Sequence, residues 1–232
     1  MADNRYGDWV LVGRVWYNTK TGAVLPVIQG GALPATDAFT TGSDQNLTTY
    51  SASWSIQSGA SEFTVYAATD VVGTGASVFG RARWNADSFN NNQYGQIKLA
   101  SGTGGQWIGP IVRASTTANT SYNFDAGIDV ATYLIKTIDG SDTELSSNSL
   151  VVYSVGDVVR IEADGTTITC KKNGSVTGCP GAQTDSDISS GYAGISGWNG
   201  ARGDDWEGGD LEAPAGLSIP VAMHHYQFNL DR

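Results

Sequence analysis

The sequence predicts an all-β fold, a two-sheet antiparallel sandwich with short β extensions at its N- and C-terminal ends. Three observations carry that reading. Apolar and polar residues alternate in short runs, as where Val159 and Ile161 face one way and Arg160 and Glu162 the other. Turn dipeptides separate the runs: Asp139-Gly140, Asp164-Gly165 and Asn173-Gly174. No long helix-period run interrupts them, and glycine is abundant at 30 of 232 residues. A 40% hydrophobic share with seven Trp and ten Tyr supplies the core of one large β domain.

Taken in order, residues 7–28 read as a hairpin. Trp9–Val12 and Val15–Tyr17 lead into a turn at Asn18–Gly22, and Val24, Leu25 and Pro26 follow. Proline marks that last strand as an edge, because it has no N–H to donate. Gly30, Gly31 and Pro34 form a linker. Asp37-Ala38-Phe39 begins the main domain. Trp54 and Ile56 share a face of the next strand, and Phe63, Val65 and Ala67 alternate in the one after. In 78–84, Val78, Gly80, Ala82 and Trp84 alternate with Phe79, Arg81 and Arg83. A polar loop over 85–92 separates this from strands at 94–99, 107–114, 121–125 and 133–138. The stretch 156–211 organises the rest. It holds a strand around Val159, a second around Ile168, the Asn173-Gly174 hairpin turn, a small-residue strand over 191–197 and a closing strand around Trp206. A second linker with Pro214 and Gly216 precedes an apolar tail, 219–230. The expected divisions are therefore 1–35, a hairpin arm and linker; 36–212, the sandwich; and 213–232, a linker and β tail.

Composition excludes some functions. The net charge is −10, from 13 basic and 23 acidic residues, which argues against a nucleic-acid partner. No stretch has the apolar length of a membrane-spanning helix. The opening residues, MADNRYGDW, lack the basic and apolar regions of a signal peptide. The expectation is use without such export, or a signal removed beforehand. Cys170 and Cys179 flank the Asn173-Gly174 turn. Strict two-residue pairing sets Cys170 opposite Thr177, so a disulfide needs a bulge or loop closure near Gly178. A bridge and a pair of free thiols both stay open.

The segments GDVVRIEADGTTIT, the Asn-Gly turn, SGYAGISG and DDWEGGDL follow DAF, ASWSI, IGPIVRAS and TYLIK in chain order. Over 37–211 the chain thereby resembles the concanavalin A-like lectin/glucanase superfamily, the laminin-G-like jelly rolls, of the kind also found in phage structural proteins. The resemblance implies a jelly-roll sandwich. It implies less about activity, because that superfamily holds enzymes, lectins and structural modules. The laminarinase type carries Glu-x-Asp-x-x-Glu on one strand. The nearest match, Glu162 and Asp164, lacks the last Glu and ends in a turn. The alginate-lyase type needs Gln-x-His, and Gln96-Ile97-Lys98 offers Lys instead. His224 and His225 are the only histidines, and adjacent strand residues point to opposite faces, so they do not share a metal. The expectation is a protein that is not an enzyme. Members of this superfamily hold Ca²⁺ through carbonyls and an Asp just before the last strand's aromatic. Asp205 before Trp206 matches that position, with Asp37 as its helper. Sugar binding would use Trp84, Trp107, Tyr122 and Trp198 as stacking platforms and Arg113 as a polar partner. The reading is a non-catalytic structural or adhesive protein of a bacteriophage virion surface: a head decoration, fibre or tail component. It would contact capsid or tail proteins and surface glycans, and form a homo-oligomer through its terminal arms. The alternative is a carbohydrate-binding module of a secreted polysaccharide-degrading system, acting extracellularly.

Overall fold

The structure is a computed structural model. It describes residues 34–211 apart from 103, 129, 150–152 and 177. Before residue 34 it describes Lys20 and the backbone of 5–6, 9–12, 15–18 and 24–26. The tail 212–232, with His224 and His225 and the expected C-terminal arm, lies outside the described residues. The chain divides into two compact units, Met1–Ala32 and Leu33–Arg232.

In the first unit, β1 (Arg5–Tyr6), β2 (Trp9–Val12), β3 (Val15–Asn18) and β4 (Val24–Pro26) form a four-stranded antiparallel sheet in that order. Pro26 stands on the edge strand, where a missing N–H costs no ladder bond.

The second unit is a sandwich of two antiparallel sheets. One has seven strands. In spatial order these are β15 (Ser141–Asn148), β14 (Thr132–Ile138), β13 (Ser121–Asp125), β12 (Trp107–Ala114), β19 (Tyr192–Trp198), β10 (Phe79–Trp84) and β7 (Trp54–Ile56). The other has nine. It runs β18 (Ala182–Thr184), β17 (Thr167–Lys172), β16 (Val158–Asp164), β11 (Gln93–Ser101), β20 (Arg202–Asp210), β9 (Val71–Gly73), β8 (Thr64–Tyr66) and β6 (Gln45–Asn46). β5 (Ala35–Asp37) also pairs with β20. One short helix, α1 (Leu47–Tyr50), buries Leu47 between β6 and β7.

Alternation turns the side chains of each strand toward the core or toward the outer face of its sheet. Ile97, Leu99, Val159, Ile161, Ile168 and Cys170 face in from the nine-stranded sheet. Ala82, Ile108, Val112, Phe124, Leu134 and Ile195 meet them from the seven-stranded sheet. Each such aliphatic or aromatic side chain stabilises the fold by about 1.5–3 kcal/mol through burial. Trp206, 1% exposed, centres an aromatic cluster, with ring centroids 4.7 Å from Trp54 and 5.3 Å from Trp84. The Asn173-Gly174 turn has positive φ at both residues, 50° and 80°, as a type I′ hairpin requires. Asp139-Gly140 does the same between β14 and β15. Cys170 and Cys179 are both free, buried thiols, and Tyr153 Oη lies 3.5 Å from Cys179 Sγ.

The seven-stranded sheet curls strongly away from the core. Two glycines on its concave face permit this. A Cβ on Gly109 would lie 1.6 Å from the Phe124 carbonyl oxygen, and one on Gly194 would lie 2.1 Å from that of Ala82. Neighbouring backbones therefore occupy the space a side chain would need.

Candidate functional site

The concave face of the seven-stranded sheet carries side chains in register across its strands. Phe79, Trp198 and Trp107 stand side by side on β10, β19 and β12. Phe79 and Trp198 have ring centroids 6.4 Å apart, and Trp107 meets Tyr133 of β14 edge-on at 6.1 Å. All four rings are half-buried and keep part of their surface in solvent. Trp107 Nε1 donates to the Ala131 carbonyl at 2.9 Å, which fixes its ring.

Beside the rings lies a row of polar groups, most of them buried. Ser196 Oγ donates to Asp125 Oδ1 at 2.8 Å, reaching past Gly109 on the intervening strand. Burial pushes the Asp125 carboxyl up, and Arg81 and the Ser196 hydroxyl pull against that without cancelling it. Arg81, 1% exposed, pairs through Nη2 with Asp142 Oδ1 at 2.8 Å. Thr137 Oγ1 donates to the same carboxylate at 2.6 Å, Asn123 Nδ2 to Thr137 at 2.8 Å, and Ser121 Oγ to Asn123 at 2.7 Å. Arg81 on β10 and Asp142 on β15 are five strand steps apart. A flat sheet would hold them roughly 24 Å apart at ~4.8 Å per step. Their contact measures how far the sheet curls.

The loop 115–120 roofs this groove. Gln57, just after β7, donates through Nε2 to the carbonyls of Ala118 and Thr120 at 3.4 and 3.1 Å. Asn119 Oδ1 accepts from Arg81 Nη1 at 3.1 Å, and the Asn119 carbonyl accepts from Gly140 N–H at 2.8 Å. Two clefts share this loop as a wall. One, of about 480 Å³, is lined by Phe79, Arg81, Asn119 and Asp142; the other, of about 490 Å³, by Phe89, Ser115, Thr116 and Tyr192. Among the described residues, four buried side-chain polar atoms lack a hydrogen-bond partner. Three of them, Gln57 Oε1, Arg81 Nε and Arg83 Nη1, lie on this one stretch of sheet. All three are closed off from solvent, where polar atoms in folded proteins are normally paired.

No family model and no curated protein matches the chain. Solved structures do. A Bacillus subtilis protein of unknown function with a galectin-like fold matches at 6% identity and TM-score 0.53, over 77% of this chain and 96% of that one. A Bacillus licheniformis β-glucanase matches at 10% identity and TM-score 0.50, over 77% and 98%. A carbohydrate-binding module from Bacillus subtilis matches at 14% identity and TM-score 0.49, over 67% and 95%. The fold is a concanavalin A-like jelly roll.

The jelly roll places the expected site residues unevenly. Trp107 and Trp198 are neighbours on the concave face, and Phe79, Tyr133, Arg81 and Gln57 join them without having been singled out from the sequence. Trp84 faces the opposite way, into the core between Trp54 and Trp206, so it is not a stacking platform. Tyr122 is fully buried. Its hydroxyl donates to Asp185 and accepts from Ile188 N–H, and burial, then Asp185, pushes its pKa up to about 12. Arg113 is 2% exposed and clamps the carbonyls of Asn91, Gly165 and Ile188; it ties loops together and offers no free polar group. Burial lowers its pKa. The expected calcium pair is not assembled either. Asp37 faces inward beside Trp206 and accepts from Phe39 N–H, Tyr50 Oη and Trp54 Nε1 at 2.7–2.8 Å. Asp205 sits on a bulge in β20 with φ 47°, points outward and pairs with Lys98. Among the described residues no three His, Cys, Asp or Glu side chains group as metal ligands would.

Proposed function

We propose that this jelly roll is a non-catalytic carbohydrate-binding module whose ligand lies in the concave groove of the seven-stranded sheet. The observation that carries the reading is the row Phe79, Trp198, Trp107 and Tyr133: half-exposed rings on four strands of one concave face. Sugar rings present apolar C–H faces that stack on such platforms, while their hydroxyls need convergent donors and acceptors. Ser58 and Thr117, exposed on the wall of the cleft beside the rings, supply hydroxyls that can donate or accept. The acids of the groove are engaged in structural bonds, Asp142 with Arg81 and Thr137 and Asp125 with Ser196.

A glycan array followed by calorimetry tests the reading. Defined sugars should bind at millimolar affinity or tighter, and Trp107→Ala and Trp198→Ala should each weaken binding about tenfold or more, the value of one aromatic contact. Absence of binding across the array overturns it. Turnover of any member of a polysaccharide panel overturns the non-catalytic part. An extracellular setting suits sugar recognition, whereas the virion-surface setting draws on nothing in the groove. The homo-oligomer expected through the terminal arms is a separate matter. Light scattering decides it, and a full-length monomer at micromolar concentration would sink it.

A further inference from the structure

Asp125 ends β13 beside the aromatic row. It stands opposite Tyr133 on β14. The pairing of β12 with β13 sets it next to Gly109, two residues along the strand from Trp107. Its side chain is half-buried on the concave face. The two carboxylate oxygens differ. Oδ1 accepts from Ser196 Oγ at 2.8 Å. Among the described residues Oδ2 has no hydrogen-bond partner, and it is not closed off from solvent as Arg81 Nε and Gln57 Oε1 are. The Arg81 guanidinium, whose charge acts on Asp125, makes its ion pair with Asp142 instead.

A half-buried carboxylate with one oxygen unpaired destabilises the fold, and a donor on a bound molecule would relieve that cost. Chemistry narrows the donor. A sugar hydroxyl carries a proton to give, whereas an ionised carboxyl carries none. A sugar unit bearing its own carboxylate would also bring like charge against Asp125. The half-exposed rings of Trp107 and Tyr133 flank the position and suit the apolar face of a sugar.

We propose that Asp125 is the polar anchor of the aromatic groove: its Oδ2 accepts a ring hydroxyl of a sugar stacked on Trp107, and the ligand is a neutral glycan, not an acidic one. This deepens the glycan-binding reading above and rests on it. A hydroxyl bonded to a carboxylate is a charge-assisted contact, about twice as strong as its neutral equivalent.

The test is calorimetry at pH 7 on the full chain, with a neutral oligosaccharide and the uronate oligosaccharide of the same linkage. The neutral form is expected to bind about tenfold tighter or more, because like charges oppose the other. Asp125→Asn keeps the shape and removes the charge. It should weaken neutral binding about tenfold, the loss of charge assistance on one hydrogen bond, and close the gap between the two sugars. Asp125→Ala should weaken neutral binding roughly 10- to 100-fold. The melting temperature of Asp125→Asn should not fall, so that lost binding reports on the contact. Neutral binding that Trp107→Ala weakens and Asp125→Asn leaves unchanged overturns the anchor and leaves the glycan-binding reading standing. A uronate form that binds the parent chain as tightly as the neutral form overturns the neutral assignment, and so does a gap that survives Asp125→Asn. An Asp125→Asn chain that melts lower at pH 7 also overturns the proposal, because the carboxylate would then be structural. Binding of no sugar by the parent chain overturns both readings.

Discussion

At the scale of single residues, burial and partners decide what a side chain does, and sequence shows these only indirectly. The alternation in 78–84 separates Trp84 from Phe79, Arg81 and Arg83. It does not say which set faces the core, because that depends on which sheet lies opposite. Trp107 and Trp198 keep part of their rings in solvent on the concave face, as a platform needs, whereas Trp84 packs against the core and Tyr122 is fully buried. Asp37 looked like a metal ligand and is instead the acceptor for three donors. Asp37→Ala should orphan a backbone N–H, the Tyr50 hydroxyl and the Trp54 indole. At about 1–3 kcal/mol per buried unsatisfied group, the loss should be roughly 3 kcal/mol or more, read from chemical denaturation. Asp125 gives the opposite sign. Its folded pKa lies above the unfolded value, so the folded state holds the proton more tightly, and stability falls as pH rises from the unfolded pKa through the folded one. Asp125→Asn should therefore raise the melting temperature at pH 7. That gain should vanish below about pH 4, where unfolded aspartates are protonated too. A melting difference that does not change with pH would contradict it.

At the scale of elements, strands with one buried face announce themselves and edge strands do not. β16 and β17 alternate cleanly because one side of each packs in the core. β15 is mostly exposed and polar, SDTELSSN, so it carries no period-two signal, although its Asp142 closes the groove. β18 went unread for the same reason. The curl of the seven-stranded sheet was also invisible. Gly109 and Gly194 look like ordinary strand glycines until the neighbouring backbones are in place. Gly109→Ala would drive a methyl to 1.6 Å from the Phe124 oxygen. The sheet would have to flatten there, separating Ser196 from Asp125 and Arg81 from Asp142. The expected cost is at least about 3 kcal/mol, at the severe end of single substitutions, with loss of sugar binding at temperatures where the variant remains folded. Thermal melts and calorimetry would show both, and a stable variant with intact binding would refute the argument.

At the scale of the whole molecule, β20 is the keystone of the nine-stranded sheet. It pairs along one edge with β11, and along the other with β9 and β5. A chain ending at residue 201 should therefore show no cooperative unfolding transition, since β5, β9 and β11 would have no common neighbour. Near-UV circular dichroism during a thermal ramp would reveal a retained transition if the idea is wrong. The pairing of Asp37 with Trp206 also has a consequence during synthesis. While the chain is being made, the first strand of the sandwich leaves the ribosome long before its partner exists. Until that partner emerges, the growing chain carries unpaired strand edges and an incomplete core. Folding of the sandwich is then delayed until β20 has been made and is dominated by contacts distant in sequence, which favours slow kinetics and dependence on chaperones.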